Sequence, residues 1–345
     1  MIAVRWLVAA MTVVVATGCY RPAPLEGTPC SALGDCPAPL QCDRGVCRVT
    51  PVDGGTGDVS GDAAPIDAPM IDAPDGPIGI CSTPPAGAWS MAAVIPGLST
   101  PAVLDGTPEV RSDLLELYFK SERNGTLDIW RSSRATGTGP FNAPVYVAEL
   151  SSSFHDGSPA LSPDGLTIYI SSDRTGTTGF HDIWKATRTS LTGAWSPPVR
   201  VPELSSTAED EGLTILPNDR VAYFHSNRGG PYRLYRATRS SPTAAWGAPV
   251  EITEITNGDY ENPSVSSDDC RIYTQAYRNG TGGAGDIYLS SRATPTGPWG
   301  APVKILPPST ADFDADPWVS PDERVMLFAT GGATTNNLDI YIATR

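Results

Sequence analysis

Acidic side chains return through the chain at one phase: Asp105, Asp156, Asp210 with Glu211, Asp259 with Glu261, and Asp314 with Asp316. Carboxylates gathered in one place can hold a cation, accept hydrogen bonds from a basic or polyhydroxylated ligand, or divide into a general acid and a general base. Inverting hydrolysis of a glycosidic bond needs two of them about 6.5 to 9.5 Å apart with water between. Asp105, Asp156 and Glu211 are the candidates for that chemistry. Nothing in their surroundings separates these three from the acids further along, so no residue is assigned a catalytic role. The competing account is structural, because Arg123, Arg174, Arg228 and Arg278 recur in step with the acids and each is able to neutralise one. The ligand-binding set to be tested is Asp105, Asp156, Asp210, Glu211, Glu261 and Asp314.

The three histidines, His155, His181 and His225, could join Asp156 around a transition metal. They sit in separate runs with no fixed spacing, and scattered loop histidines are the simpler account, so neither a metal nor a cofactor is expected. No G-x-S-x-G elbow, P-loop or H-E-x-x-H motif occurs. Lys plus Arg is 24 against 38 for Asp plus Glu, a net charge of -14 with no basic cluster, which argues against a nucleic-acid partner.

The elements that must position these residues are strands. The chain has 34 Gly and 34 Pro among 345 residues with only 18% charged, a composition of short strands and turns. An aromatic opens each of five units, at Trp89, Phe141, Trp195, Trp246 and Trp299, at separations of 52, 54, 51 and 53 residues. Between them three strings return in phase. PEVRSD, PALSPD, LTILPND, PSVSSDD and PWVSPDE each close on an acidic turn. LELYFKS, LTIYISS, RVAYFHS, CRIYTQA and RVMLFAT alternate as half-buried strands do, and so do LDIWRSSR, HDIWKATR, YRLYRATR, GDIYLSSR and LDIYIATR. Four short strands per unit, five times over, predict a β-propeller of five four-stranded blades. The strand following Trp89 lacks its own first three, and the last unit lacks its fourth, so the N-terminal strand is predicted to close the ring beside Asp339 to Ala343. The recurrent acids then lie on the connections that enter the innermost strands and ring one mouth of the central channel. Trp130, Trp184, Trp195, Trp246, Trp299 and Trp318 keep the repeat phase as packing between blades.

These units resemble the WD40-like repeats of TolB-type propellers, whose signature joins S-P-D-G, an apolar strand, S-x-R-x-G and D-I-W or D-I-Y. The resemblance spans residues 82 to 345 and implies an all-β propeller. Unit 3 departs with LPND for SPDG and RLY for DIY, and unit 5 has TGG in place of S-x-R-x-G, so five equivalent ligand sites are not implied.

Residues 1–18 have the layout of an export signal, with Arg5 before an apolar run. Ala16 to Cys19 resembles a bacterial lipobox, which implies lipidation at Cys19, and Tyr20 in place of an Asp favours the outer membrane, with the membrane face open. Residues 19–50 hold Cys30, Cys36, Cys42 and Cys47, a disulfide module whose three possible pairings stay open. Their spacings contain no CxxC pair, which disfavours zinc. Residues 51–80 carry six Asp and no Lys or Arg and read as an extended tether of up to about 90 Å at about 3.1 Å per residue. The propeller follows at 81–345. In it Cys81 and Cys270 fall on the face opposite the acids, where they can bond; a buried free thiol at Cys270 is the alternative. The expected protein is a monomeric, envelope-anchored, non-catalytic propeller that binds a protein, peptide or glycan at the acidic mouth. A propeller glycoside hydrolase and a purely structural surface protein are the alternatives.

Overall fold

A computed structural model describes residues 41–43, 46–48, 81–100, 103–256, 258–277, 285–310, 312–331 and 337–345. The chain divides into two units, Met1–Asp72 and Ala73–Arg345. In the first, β1 (Gln41–Asp43) pairs antiparallel with β2 (Val46–Arg48), Cys42 standing opposite Cys47. The expectations for the export signal, Cys19, Cys30, Cys36, the 51–80 tether and Arg278 fall outside the described residues.

The second unit begins its strands with β3 (Ala93–Val94). Blade 1 follows as β4 (Asp105–Val110), β5 (Glu116–Ser121), β6 (Asp128–Ser133) and β7 (Val145–Tyr146). Blade 2 is β8 (Asp156–Leu161), β9 (Thr167–Ser172), β10 (Asp182–Thr187) and β11 (Val199–Arg200). Blade 3 is β12 (Asp210–Ile215), β13 (Val221–Ser226), β14 (Arg233–Thr238) and β15 (Val250–Glu251). Blade 4 is β16 (Asp259–Val265), β17 (Arg271–Tyr277), β18 (Asp286–Ser291) and β19 (Val303–Lys304). Blade 5 takes β20 (Phe313–Val319), β21 (Val325–Gly331) and β22 (Asp339–Thr344) and borrows β3 as its fourth strand. The first strands pack in a ring, β4 on β8, then β12, β16, β20 and back to β4. This is the five-bladed propeller that the repeat predicts.

The closure has the expected register. Val94 pairs with Tyr341 and Ala93 with Ile342, while Ser90 N donates to Thr344 O at 2.7 Å and Ile95 N to Ile340 O at 3.0 Å. The hairpin turns follow from their residues. Asp164 accepts from Ser162 Oγ at 2.6 Å and from Leu166 N at 2.9 Å, while Gly165 takes the left-handed φ of 66° that a side chain would resist.

An arginine at the end of each third strand then stitches blade to turn. Arg134, Arg188, Arg239, Arg292 and Arg345 donate from Nε to the turn carbonyls of Leu114, Gly165, Asp219, Asp269 and Glu323. Each also covers the ring of the unit's opening aromatic at 4.1 to 4.4 Å: Phe141, Trp195, Trp246, Trp299 and Trp89. The four tryptophans of this set are buried, so they are core.

Cys81 and Cys270 are bonded, with Cα atoms 5.7 Å apart across 189 residues. Ser82 fastens the same segment, donating from N to Asp268 at 2.8 Å while its carbonyl accepts from Arg271 at 2.9 Å. The disulfide thus joins the stretch before β3 to blade 4.

Candidate functional site at the channel mouth

An aspartate stands just before the channel-facing position of the innermost strand in blades 1, 2, 3 and 5, and these side chains do not face the channel. Asp105, Asp156 and Asp210 are fully buried. Asp105 accepts from Thr100 N at 2.7 Å and Arg123 at 2.6 Å. Asp156 accepts from Ser152 N at 2.6 Å and from Arg174, and Asp210 from Ser206 N at 2.6 Å and Arg228 at 2.5 Å. The same arginines also donate to the carbonyls of Leu98, Leu150 and Leu204, so each pair pins two loops together. Asp314 is buried as well and accepts from Thr310 N at 2.6 Å; burial pushes its carboxyl up from the ordinary range. Its blade has Gly332 where the repeat places an arginine. Of the acids expected to meet a ligand, Asp105, Asp156 and Asp210 thus spend their oxygens on an arginine and a backbone N–H, and Asp314 on Thr310. A carboxylate saturated by an arginine and backbone N–H groups has no exposed lone pair to offer.

The next position carries the variation. Counted from the bulge, it reads Gly106, Gly157, Glu211, Glu261 and Ala315, paired across to Lys120, Ser171, His225, Gln275 and Ala329. Blade 4 reaches this register one residue later, so buried Tyr260 stands where the other blades have aspartate. The bulge follows, and Thr107, Ser158, Asn262 and Asp316 all adopt positive φ between 45° and 55° there, a strained backbone held at one place in four blades. Glycine at 106 and 157 makes room for Lys120: an added Cβ would lie 2.7 Å from Asp316 Oδ2 at the first, and 3.3 Å from Lys120 Cδ at the second.

A polar network closes the neck of the channel. Asp316 accepts from Thr107 N at 2.9 Å and Asn262 Nδ2 at 2.5 Å, and pairs with Lys120 at 3.8 Å. Gln275 accepts from Asp316 N at 2.9 Å and donates to Glu261 at 2.8 Å. Burial, then the charges of Glu211 and Asp316, push Glu261 up to about 7. Burial lowers His225, whose Nδ1 accepts from Asn262 N at 3.1 Å and is therefore unprotonated. Deeper in the wall, burial pushes Glu109 up to about 8, although its Oε1 accepts from Leu161 N at 3.1 Å.

At the rim, His181 Nδ1 lies 3.0 Å from Glu209 and 2.5 Å from Glu211. Burial opposes charge on both sides of this contact. The hydrogen bonds to the two glutamates prevail at His181 and raise it to about 10, and His181 in turn holds Glu211 well below the carboxylate range. Tyr232 donates to the other oxygen of Glu209. The His155 and His181 rings are 6.4 Å apart, and Phe154 and Phe180 beside them are 40% and 64% exposed. A shallow depression opens here, lined by Lys120, His155, Gly157, Ser158, His181 and Glu211 among others. The structure thus brings Glu211 and Glu261 toward the channel with His155, His181 and His225, while Asp156 borders the depression with its carboxylate already held by Ser152 and Arg174. Lys120, Glu209, Tyr232 and Gln275 belong to the site without having been marked in sequence.

No family model matches the chain, and no curated protein matches it. Among solved structures it is similar to the α-L-arabinofuranosidase of Podospora anserina, at 12% identity and TM-score 0.53 over 74% of this chain and 96% of that one. It is similar to the catalytic domain of a Coprinopsis cinerea GH62 α-L-arabinofuranosidase at 12% identity and TM-score 0.53, over 76% and 98%. With TolB from Acinetobacter baumannii the values are 16% and 0.43, over 70% of this chain and 54% of that chain, about half its length. The likeness to the two arabinofuranosidases shows a shared fold and leaves the chemistry to the residues of the site.

Proposed function

We propose that the chain is an envelope-tethered recognition propeller whose channel mouth takes a basic side chain of a protein or peptide. The observation that carries this is the break in the repeat at Glu211 and Glu261. These two acids enter the channel from blades 3 and 4, where blades 1 and 2 have glycine. The result is an acidic wall on blades 3 and 4 facing two glycines against which Lys120 lies, with the exposed rings of Phe154 and Phe180 at the rim. A lysine or arginine side chain suits that combination, since carboxylates satisfy its charge and aromatic faces its apolar flank. The tether would be the lipid on Cys19, on the strength of the lipobox-like Ala16 to Cys19. The test is a fluorescence-polarisation comparison of peptides that differ only in Lys, Arg, Gln or Glu at one position. Preference for Lys or Arg, weakening with salt, supports the reading, and indifference to charge contradicts it.

A second reading has one specific observation in its favour. Glu261 stands near 7 while neighbouring Glu211 is held ionised, the division of labour an acid and a base require. A glycoside hydrolase of this kind would use Glu261 and Glu211, because Asp105 and Asp156 are sealed by arginine. Reducing sugar released from arabinofuranosides by the full chain, and lost in Glu261→Gln, would favour it over the first reading.

A further inference from the structure

Glu209 and Glu211 differ from the other acids of the mouth. Asp105, Asp156 and Asp210 each have an arginine, Asp182 has Arg200, and Asp316 has Lys120. Among the described residues, the cationic partner of Glu209 and Glu211 is one shared imidazole. Its Nδ1 stands within 3.0 Å of one carboxylate and 2.5 Å of the other. One N–H cannot point along a straight line at two oxygens, so two anions crowd a single proton.

We propose that His181, Glu209 and Glu211 bind a first-row transition-metal dication of the zinc type. Their three ligand atoms lie within 4.8 Å of one another, so one ion can touch all three once the proton on Nδ1 leaves to solvent. One imidazole nitrogen with two carboxylates suits zinc and its first-row neighbours rather than calcium, which takes oxygen. Two glutamates also neutralise a dication. The supports around the ligands are those that fix metal-binding side chains elsewhere. Tyr232 holds the far oxygen of Glu209. The edge of Phe180 meets the His181 ring at 5.0 Å and 86°, fixing its tilt. The three ligands are part-buried and come from blades 2 and 3, and His181 and Glu211 border the depression, where a fourth position can take a donor from outside the protein. The His155 and Asp173 pair, close to the same imidazole, stands ready as an outer partner.

The proposal does not depend on the peptide reading, since uptake is measured with the metal alone. The full chain, with its disulfides oxidised and stripped by chelator, is titrated with zinc against a chromophoric chelator and separately loaded with cobalt(II). The expected result is micromolar or tighter binding of one ion, cobalt absorption of tetrahedral intensity, and no thiolate charge-transfer band, which separates this site from the cysteine-rich segment. His181→Ala, Glu209→Gln and Glu211→Gln should each weaken binding by about tenfold or more. Zinc should raise the melting temperature of the wild-type chain and not of these variants. Absence of zinc uptake by the wild-type chain, a thiolate band, or undiminished uptake by all three variants would overturn the proposal. Should a variant fail to fold, the wild-type cobalt spectrum still decides, because a nitrogen and oxygen ligand set is demanded there.

Discussion

Arg345 lies 4.3 Å over the ring of Trp89, joining the two ends of the propeller with the same contact that elsewhere links residues seven apart. Arg345 Nε also reaches Glu323 O at 2.7 Å, as its counterparts reach their own turns. The ring is thus closed by side chains as well as by β3 on β22. Trp89→Ala should cost about 3–5 kcal/mol, as should Trp195→Ala within a blade. Denaturant unfolding checks it, and a cost under about 1 kcal/mol for Trp89→Ala alone would show that closure contributes little.

Cys81 and Cys270 are 189 residues apart, so the chain-entropy account predicts about 5 kcal/mol of stabilisation. The Cys81→Ala, Cys270→Ala double variant should unfold at correspondingly lower denaturant, with the slope of the transition raised by a more expanded unfolded chain. Equal midpoints for the two proteins would rule out that contribution.

The Asp–Arg pins predict an asymmetric response. Arg174→Ala leaves the carboxylate of Asp156 buried without its cation and should cost about 3–5 kcal/mol. Asp156→Asn leaves Arg174 a neutral acceptor and a backbone carbonyl and should cost less. Neither change should alter ligand affinity in protein that remains folded, which binding assays on the two variants can check.

Burial puts Glu109 near 8 in the folded chain against 4.5 when free. The folded state therefore holds a proton that the unfolded chain releases between those values, and stability falls as pH rises through that window, level below it and above it. Glu109→Gln should be no less stable at pH 5 and more stable at pH 8.5, on the order of 2 kcal/mol after allowance for water in the channel. Urea unfolding at the two pH values measures this, and a variant that loses the same stability as the wild type on going to pH 8.5 would contradict it.

The blades, their number, the closing strand and the Cys81–Cys270 bond were legible in the sequence because each rests on pattern: alternation, turn chemistry and a phase that repeats. The site was harder to read for a physical reason. Asp156 and Glu211 are both acids at the start of an inner strand, yet one position separates a side chain buried under an arginine from one in the channel. The i+18 arginine gave a clue, since Arg123, Arg174 and Arg228 mark the acids already satisfied. The more useful signal was the position just after Asp105, Asp156, Asp210, Tyr260 and Asp314, where Gly, Gly, Glu, Glu and Ala break the repeat. Glu209 and Tyr232 left no such mark, because they stand on loops whose lengths and residues differ from blade to blade.

The separation of structural aspartates from ligand-facing glutamates is tested most directly by calorimetric titration of a lysine-bearing peptide into the wild-type chain and Glu261→Gln. Glu261 holds no metal and no arginine in the arrangement described, so its loss should weaken the peptide about tenfold or more and flatten the dependence on salt. Unchanged affinity and unchanged salt dependence in Glu261→Gln would contradict the assignment of the mouth as the binding site.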